Sequence, residues 1–131
     1  MFYASRDGKT SLIELLVKEG CDPNQLDTYG QTSVFYAARE GHPEVLKILI
    51  SMGADPDLVD HNGQTPLYYA VRGGKYDAVD LLIKKGADVN HEDKKQQTPM
   101  HIAKRSNKQQ IMNLLIEHGA KPLEELRRLN K

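Results

Sequence analysis

Apolar residues in this chain arrive in short bursts, and the bursts keep time. The aliphatic pairs Leu15–Leu16, Ile48–Leu49, Leu81–Leu82 and Leu114–Leu115 recur every 33 residues. Three further ladders share that interval: Gly20, Gly53, Gly86 and Gly119; Thr32, Thr65 and Thr98; and Ala4, Ala37, Ala70 and Ala103. Even the opening string FYASRDGKT returns as FYAAREGHP at residues 35–43. Self-similarity at one fixed period is the mark of a repeat architecture.

The third unit shows the physical plan. Asn62-Gly63 is a turn signal, since glycine takes positive φ without steric cost. Thr65 sits in the helix-capping position before Pro66, which suits the first helical residue. The first helix is expected to stop near Gly73-Gly74, where helix propensity collapses. A second helix is predicted over Tyr76–Lys85, with Val79, Leu82 and Ile83 on one face and Gly86 as a left-handed C-cap. Two short helices cannot bury their apolar faces alone, so the units must stack.

The segments "GQTPLYYAVRGG…LLIKKGADVN", "GQTSVFYAAREGHPEVLKILISMGADPD" and "QTPMHIAKRSN…LLIEHGAKP" resemble ankyrin repeats, whose signature includes TPLH-x-A, GH and GADxN. The resemblance runs from residue 2 to about 122. It implies one all-α domain over 1–131, a solenoid of about four stacked helix–turn–helix units at 1–26 (incomplete), 27–59, 60–92 and 93–122. Leu123, Leu126 and Leu129 then predict a short capping helix at 123–131, with a partner-binding amphipathic helix as the rival reading. Phe2 aligns with Phe35, Tyr68 and His101, so the first unit lacks its turn and helix start. The expectation is a fragment of a longer parent, against a naturally degenerate first repeat. In the fourth unit Gln96 stands in the slot of Gly30 and Gly63, and Asn107 in that of Gly41 and Gly74. The turn at Lys94–Gln97 is therefore expected to be the least regular, while Ser33 in place of Pro66 and Pro99 should matter little.

Composition narrows the function classes. The 131 residues are 39% hydrophobic and 27% charged, and eighteen basic residues balance eighteen acidic ones. Zero formal charge gives no global pull toward nucleic acid or anionic membranes, so any electrostatic work must be local. Cys21 is alone, which fits a reducing intracellular compartment, and no apolar run approaches a membrane span or signal-peptide core. Cys21 aligns with Ala54, Ala87 and Ala120, a small packed position.

Candidate chemistry lies on two ladders and three turns. Arg6, Arg39, Arg72 and Arg105 occupy one slot near the end of each first helix. The resemblance places that slot in the concave groove, where such a row would grip carboxylates or phosphates bidentately. The plainer reading pairs the arginines with neighbouring acids such as Asp7 and Glu40. Tyr3, Tyr36, Tyr69 and Ile102 run three residues earlier, as packing between repeats or as interface anchors. A methyl-lysine cage from Tyr36, Tyr68, Tyr69 or Tyr76 is a further reading, without a carboxylate obviously placed to complete it. The turn tips Thr28-Tyr29, His61-Asn62 and Lys94-Lys95 vary on a constant frame, as a binding surface requires.

Catalysis finds no foothold in the sequence. Gly73-Gly74-Lys75 lacks the first glycine of a phosphate loop, since Tyr69 occupies it, and Val59 spoils a calcium-loop reading of DPDLVDHNG. The resemblance gives His101 a structural role and matches His42 to the GH element, and His61, His91 and His118 show no metal spacing. The expectation is a non-catalytic, cofactor-free, monomeric module that binds another protein, with an acidic or phosphorylated segment as the partner chemistry. The alternative is a targeting or regulatory domain of a larger enzyme-containing protein. Nucleic-acid binding through the arginines is the least favoured, given the neutral charge.

Overall fold

A computed structural model describes residues 1–121, so the capping helix expected at 123–131 lies outside the described residues. Those residues form eight helices and no strand. The first helices of the units are α1 (Phe2–Arg6), α3 (Ser33–Glu40), α5 (Pro66–Arg72) and α7 (Pro99–Arg105). The second helices are α2 (Thr10–Lys18), α4 (Pro43–Ser51), α6 (Tyr76–Lys84) and α8 (Gln109–Glu117). Each first helix packs on the next first helix, each second helix on the next second helix, and the two layers meet within every unit. The result is an all-α helical solenoid.

The periodic positions build the shared interior. Val34, Leu67 and Met100, then Ala37, Ala70 and Ala103, then Leu49, Leu82 and Leu115 are all buried. The alanines allow close helix approach, while each buried leucine contributes about 2 kcal/mol of transfer free energy. Gly86 ends α6 at φ +94°, with the Ala87 amide bonded to the Leu82 carbonyl at 3.0 Å. α3 starts at Ser33 in register with its proline-led counterparts.

Three expectations need correction. Gln96 does adopt positive φ, at 62°, yet its turn is as regular as the others. The Asp93 amide bonds the Gln97 carbonyl at 2.9 Å, as Asp60 does with Gln64, also at 2.9 Å. The reason is Asp93 itself, whose Oδ1 accepts the amides of Lys95 and Gln97, each at 2.9 Å, and so fixes the loop whatever residue sits at 96. Second, Thr65 has the extended backbone of an N-cap, but its hydroxyl is buried without a partner, as is that of Thr32. Only Thr98 finds one, lying 2.9 Å from Nδ1 of His101, which also accepts the Thr98 amide at 2.9 Å. Phe35 and Tyr68 hold the histidine slot in the other two units and offer no such acceptor. Third, Cys21 is exposed although Ala54, Ala87 and Ala120, in the same slot, are buried.

Candidate partner-binding groove

The groove is built from the turns upward. Asp27 Oδ1 accepts the amides of Tyr29 at 2.8 Å and Gln31 at 2.9 Å, closing the turn. Its other oxygen receives the hydroxyl of Tyr36. Asp60 repeats the arrangement, taking the amides of Asn62 at 2.9 Å and Gln64 at 3.0 Å and the hydroxyl of Tyr69. Neighbouring turns are tied together: Gln31 Nε2 donates to Asp60 at 3.1 Å, and Gln64 Nε2 to Asp93 at 2.9 Å. Their tips are joined too, by the His61 amide on the Tyr29 carbonyl at 3.2 Å and the Lys94 amide on the Asn62 carbonyl at 3.1 Å.

The glutamines complete the line by holding the arginines. Arg39 Nη2 donates to Gln31 Oε1 at 2.7 Å and Arg72 Nη2 to Gln64 Oε1 at 3.2 Å. The Arg39 guanidinium lies 5.4 Å from the Tyr36 ring centre and 5.2 Å from that of Tyr69. Arg72 sits 5.1 Å from Tyr69, so that ring serves two cations. Each of these guanidiniums is thus oriented while most of its five donors stay uncommitted to the turns.

Electrostatics keeps the frame in one protonation state. Burial pushes the Tyr36 phenol up, and its bond to Asp27 adds to this, to about 12. Burial likewise raises Tyr69, helped by Asp60. Burial alone would raise Asp27, but the Tyr36 hydroxyl and the amides of Gln31 and Tyr29 outweigh it and hold the carboxyl below its ordinary value. At neutral pH the phenols donate and Asp27 accepts.

Two adjoining hollows open on this face. The first, of about 390 Å³, is lined by Tyr29, Tyr36, Arg39, His61, Asn62 and Tyr69, with Gln31 and Asp60 behind them. The second, of about 230 Å³, is lined by Asn62, Arg72, Lys94, Lys95 and Arg105, with Gln64, Asp93 and Gln97. These two hollows gather the residues singled out on the ladders and turn tips except Arg6, Tyr3, Thr28 and the buried Ile102. That arginine lies in an exposed pair with Asp7 at 2.9 Å and over Tyr3 at 4.9 Å. The pairing with a neighbouring acid thus holds for Arg6, whereas Arg39 bonds Gln31.

The methyl-lysine cage does not form. Carboxylates are present, but Asp27 and Asp60 are engaged by the phenols, and Arg39 stands between the rings of Tyr36 and Tyr69. Tyr68 is fully buried, its hydroxyl directed at the carbonyls of His91 and Gln97. Among the described residues no group of three or more His, Cys, Asp or Glu is placed to hold a metal ion. His42 instead joins two units, its Nε2 lying 2.7 Å from the Arg6 carbonyl, and His91 Nε2 lies 2.9 Å from the Gly63 carbonyl.

Sequence reasoning missed the residues that organise the groove. Asp27, Asp60 and Asp93 recur at the common interval, as do Gln31, Gln64 and Gln97. That periodicity was the available signal. The polar slots sit beside the turn glycines, where a side chain that closes its own loop reads like any solvated loop residue.

The chain matches the family described as ankyrin repeats (3 copies), over residues 1–93 and 52–125. No curated protein matches it. Helix pairs stacked at a single interval, turns locked to their neighbours and a family match spanning most of the length lead to one conclusion: this chain belongs to the ankyrin-repeat family.

Proposed function

We propose that this chain binds another protein through the groove and turn tips, laying an extended acidic segment of its partner along Arg39, Arg72 and Arg105. Ankyrin repeats are generally protein–protein interaction modules and typically non-catalytic. The observation that carries the proposal is the state of Arg39 and Arg72. Each is anchored by a glutamine and by tyrosine, two rings for Arg39 and one for Arg72, rather than by an acid, so its charge is positioned yet not neutralised. Carboxylates complement such guanidiniums bidentately. Because the frame is ordered before the partner arrives, little side-chain entropy is lost on association.

The test is a titration. Peptides selected by display on the 131-residue chain are measured by calorimetry against the parent, Arg39→Ala/Arg72→Ala and Tyr29→Ala. The double variant is expected to bind at least about tenfold more weakly while keeping its helical circular dichroism, since one charged hydrogen bond is worth roughly 1.5–3 kcal/mol. Undiminished affinity in all folded variants would remove the groove from the account.

A further inference from the structure

The two hollows share Asn62 but differ in charge, and the difference assigns them different tasks. The first holds one guanidinium, Arg39, one carboxylate, Asp60, and the three rings of Tyr29, Tyr36 and Tyr69, with Gln31, His61 and Asn62. In the second, Arg72, Lys94, Lys95 and Arg105 face one carboxylate, Asp93. Asp93 is only 7% exposed and already serves two amides and Gln64. Among the described residues none of these four cations is in an ion pair. The pairs that do form, Arg6–Asp7, Lys47–Glu44 and Lys84–Asp80, involve none of the groove cations of units three and four.

We propose that the second hollow is a phosphate subsite for a phosphorylated serine or threonine of the partner, and that the first takes an apolar side chain about three residues away. This rests on the groove reading above. A carboxylate brings one charge and two oxygens; a phosphomonoester brings nearly two charges and three acceptor oxygens. Four cations lining one small hollow suit a phosphomonoester better than a carboxylate. The register follows from geometry: stacked helices lie roughly 8–10 Å apart, and an extended peptide advances about 3.3 Å per residue. In the neighbouring hollow the rings of Tyr29, Tyr36 and Tyr69 favour apolar contact beside the Arg39 guanidinium.

The experiment measures fluorescence anisotropy of peptide libraries, degenerate except for a central phosphoserine, serine or glutamate, on the full chain. The phosphoserine library is expected to bind at least about tenfold tighter than the serine library and tighter than the glutamate library. An apolar residue should be selected three positions to one side. Lys94→Ala/Lys95→Ala/Arg105→Ala, with unchanged circular dichroism, is expected to weaken the phosphoserine library far more than the serine library and so to lose the phosphoserine preference. Equal binding of phosphoserine and glutamate libraries, or a preference that survives the triple variant, overturns the phosphate subsite. The groove reading then stands if Arg39→Ala still weakens binding. If no library binds, or Arg39→Ala changes nothing, both readings fall. Phosphoinositide vesicles or a single-stranded RNA oligonucleotide outcompeting the phosphoserine library would also overturn it, in favour of a membrane or nucleic-acid ligand.

Discussion

Thr32, Thr65 and Thr98 look alike in the sequence and differ in their surroundings. The Thr98 hydroxyl meets His101, whereas those of Thr32 and Thr65 are buried without a partner. A buried unsatisfied hydroxyl costs about 1–3 kcal/mol, while a satisfied one contributes about 1 kcal/mol. Thr98→Val is therefore expected to destabilise the chain by about 1 kcal/mol. Thr65→Val, which keeps the shape and removes the orphan, is expected to be neutral or stabilising. Urea denaturation of the two variants checks the contrast, and equal losses would contradict it. Gln96 gives the second single-residue case. It holds φ 62° where Gly63 holds 73°, at a cost of about 1 kcal/mol for a side chain in the left-handed region. Gln96→Gly is expected to raise the denaturation midpoint correspondingly, with no change in m-value.

At the scale of elements, the loops after the second helices are bridged by a side chain that both donates and accepts. Asn24 Nδ2 donates to the Gly53 carbonyl at 3.0 Å and its Oδ1 accepts the Asp55 amide at 2.8 Å. Asn90 does the same with Gly119 at 3.0 Å and Lys121 at 2.9 Å. Asp57 stands in that slot between them, and an ionised carboxylate can only accept, here from the Asp88 amide at 3.4 Å. Burial raises its pKa, and Asp55 and Asp88 add to the rise. A carboxyl raised on folding contributes stability while protonated, and that contribution is lost as pH climbs from the unfolded value of 3.8 through the folded one. Asp57→Asn restores the donor and removes the charge, so it is expected to stabilise by about 1 kcal/mol at pH 7. Its advantage should shrink as the pH falls through the folded value and below 3.8. Thermal unfolding at several pH values reads this directly, and an advantage that grows in acid would contradict it.

The same comparison shows what was legible. Helix bounds followed from Thr-Pro starts and Gly86-type stops, because those residues restrict their own backbone and need no knowledge of neighbours. The arginine row and the turn tips were visible as ladders of a single type. The Gln31–Asp60 and Gln64–Asp93 links were not, because each depends on which turn lies next to which and on the reach of a side chain across that gap. The orphan threonines escaped for a related reason: a capping residue was recognised, but its partner in the third helical position was aromatic in two units.

At the scale of the whole molecule, the main helix packing among the described residues joins each unit to its sequence neighbours, so stability and groove geometry pass along the stack through those contacts. Among the described residues no helix is long and apolar enough to cross a membrane. The formal charge is zero, so no long-range field steers a partner, and the proposed binding rests on the local row of cations. The most direct measurement is hydrogen–deuterium exchange of the chain with and without a bound peptide. Protection is expected in the turns and first helices, at residues 29–39, 61–72 and 94–105, with α4, α6 and α8 unchanged. Protection concentrated on those second helices, with the arginine-bearing face unaltered, would contradict the account.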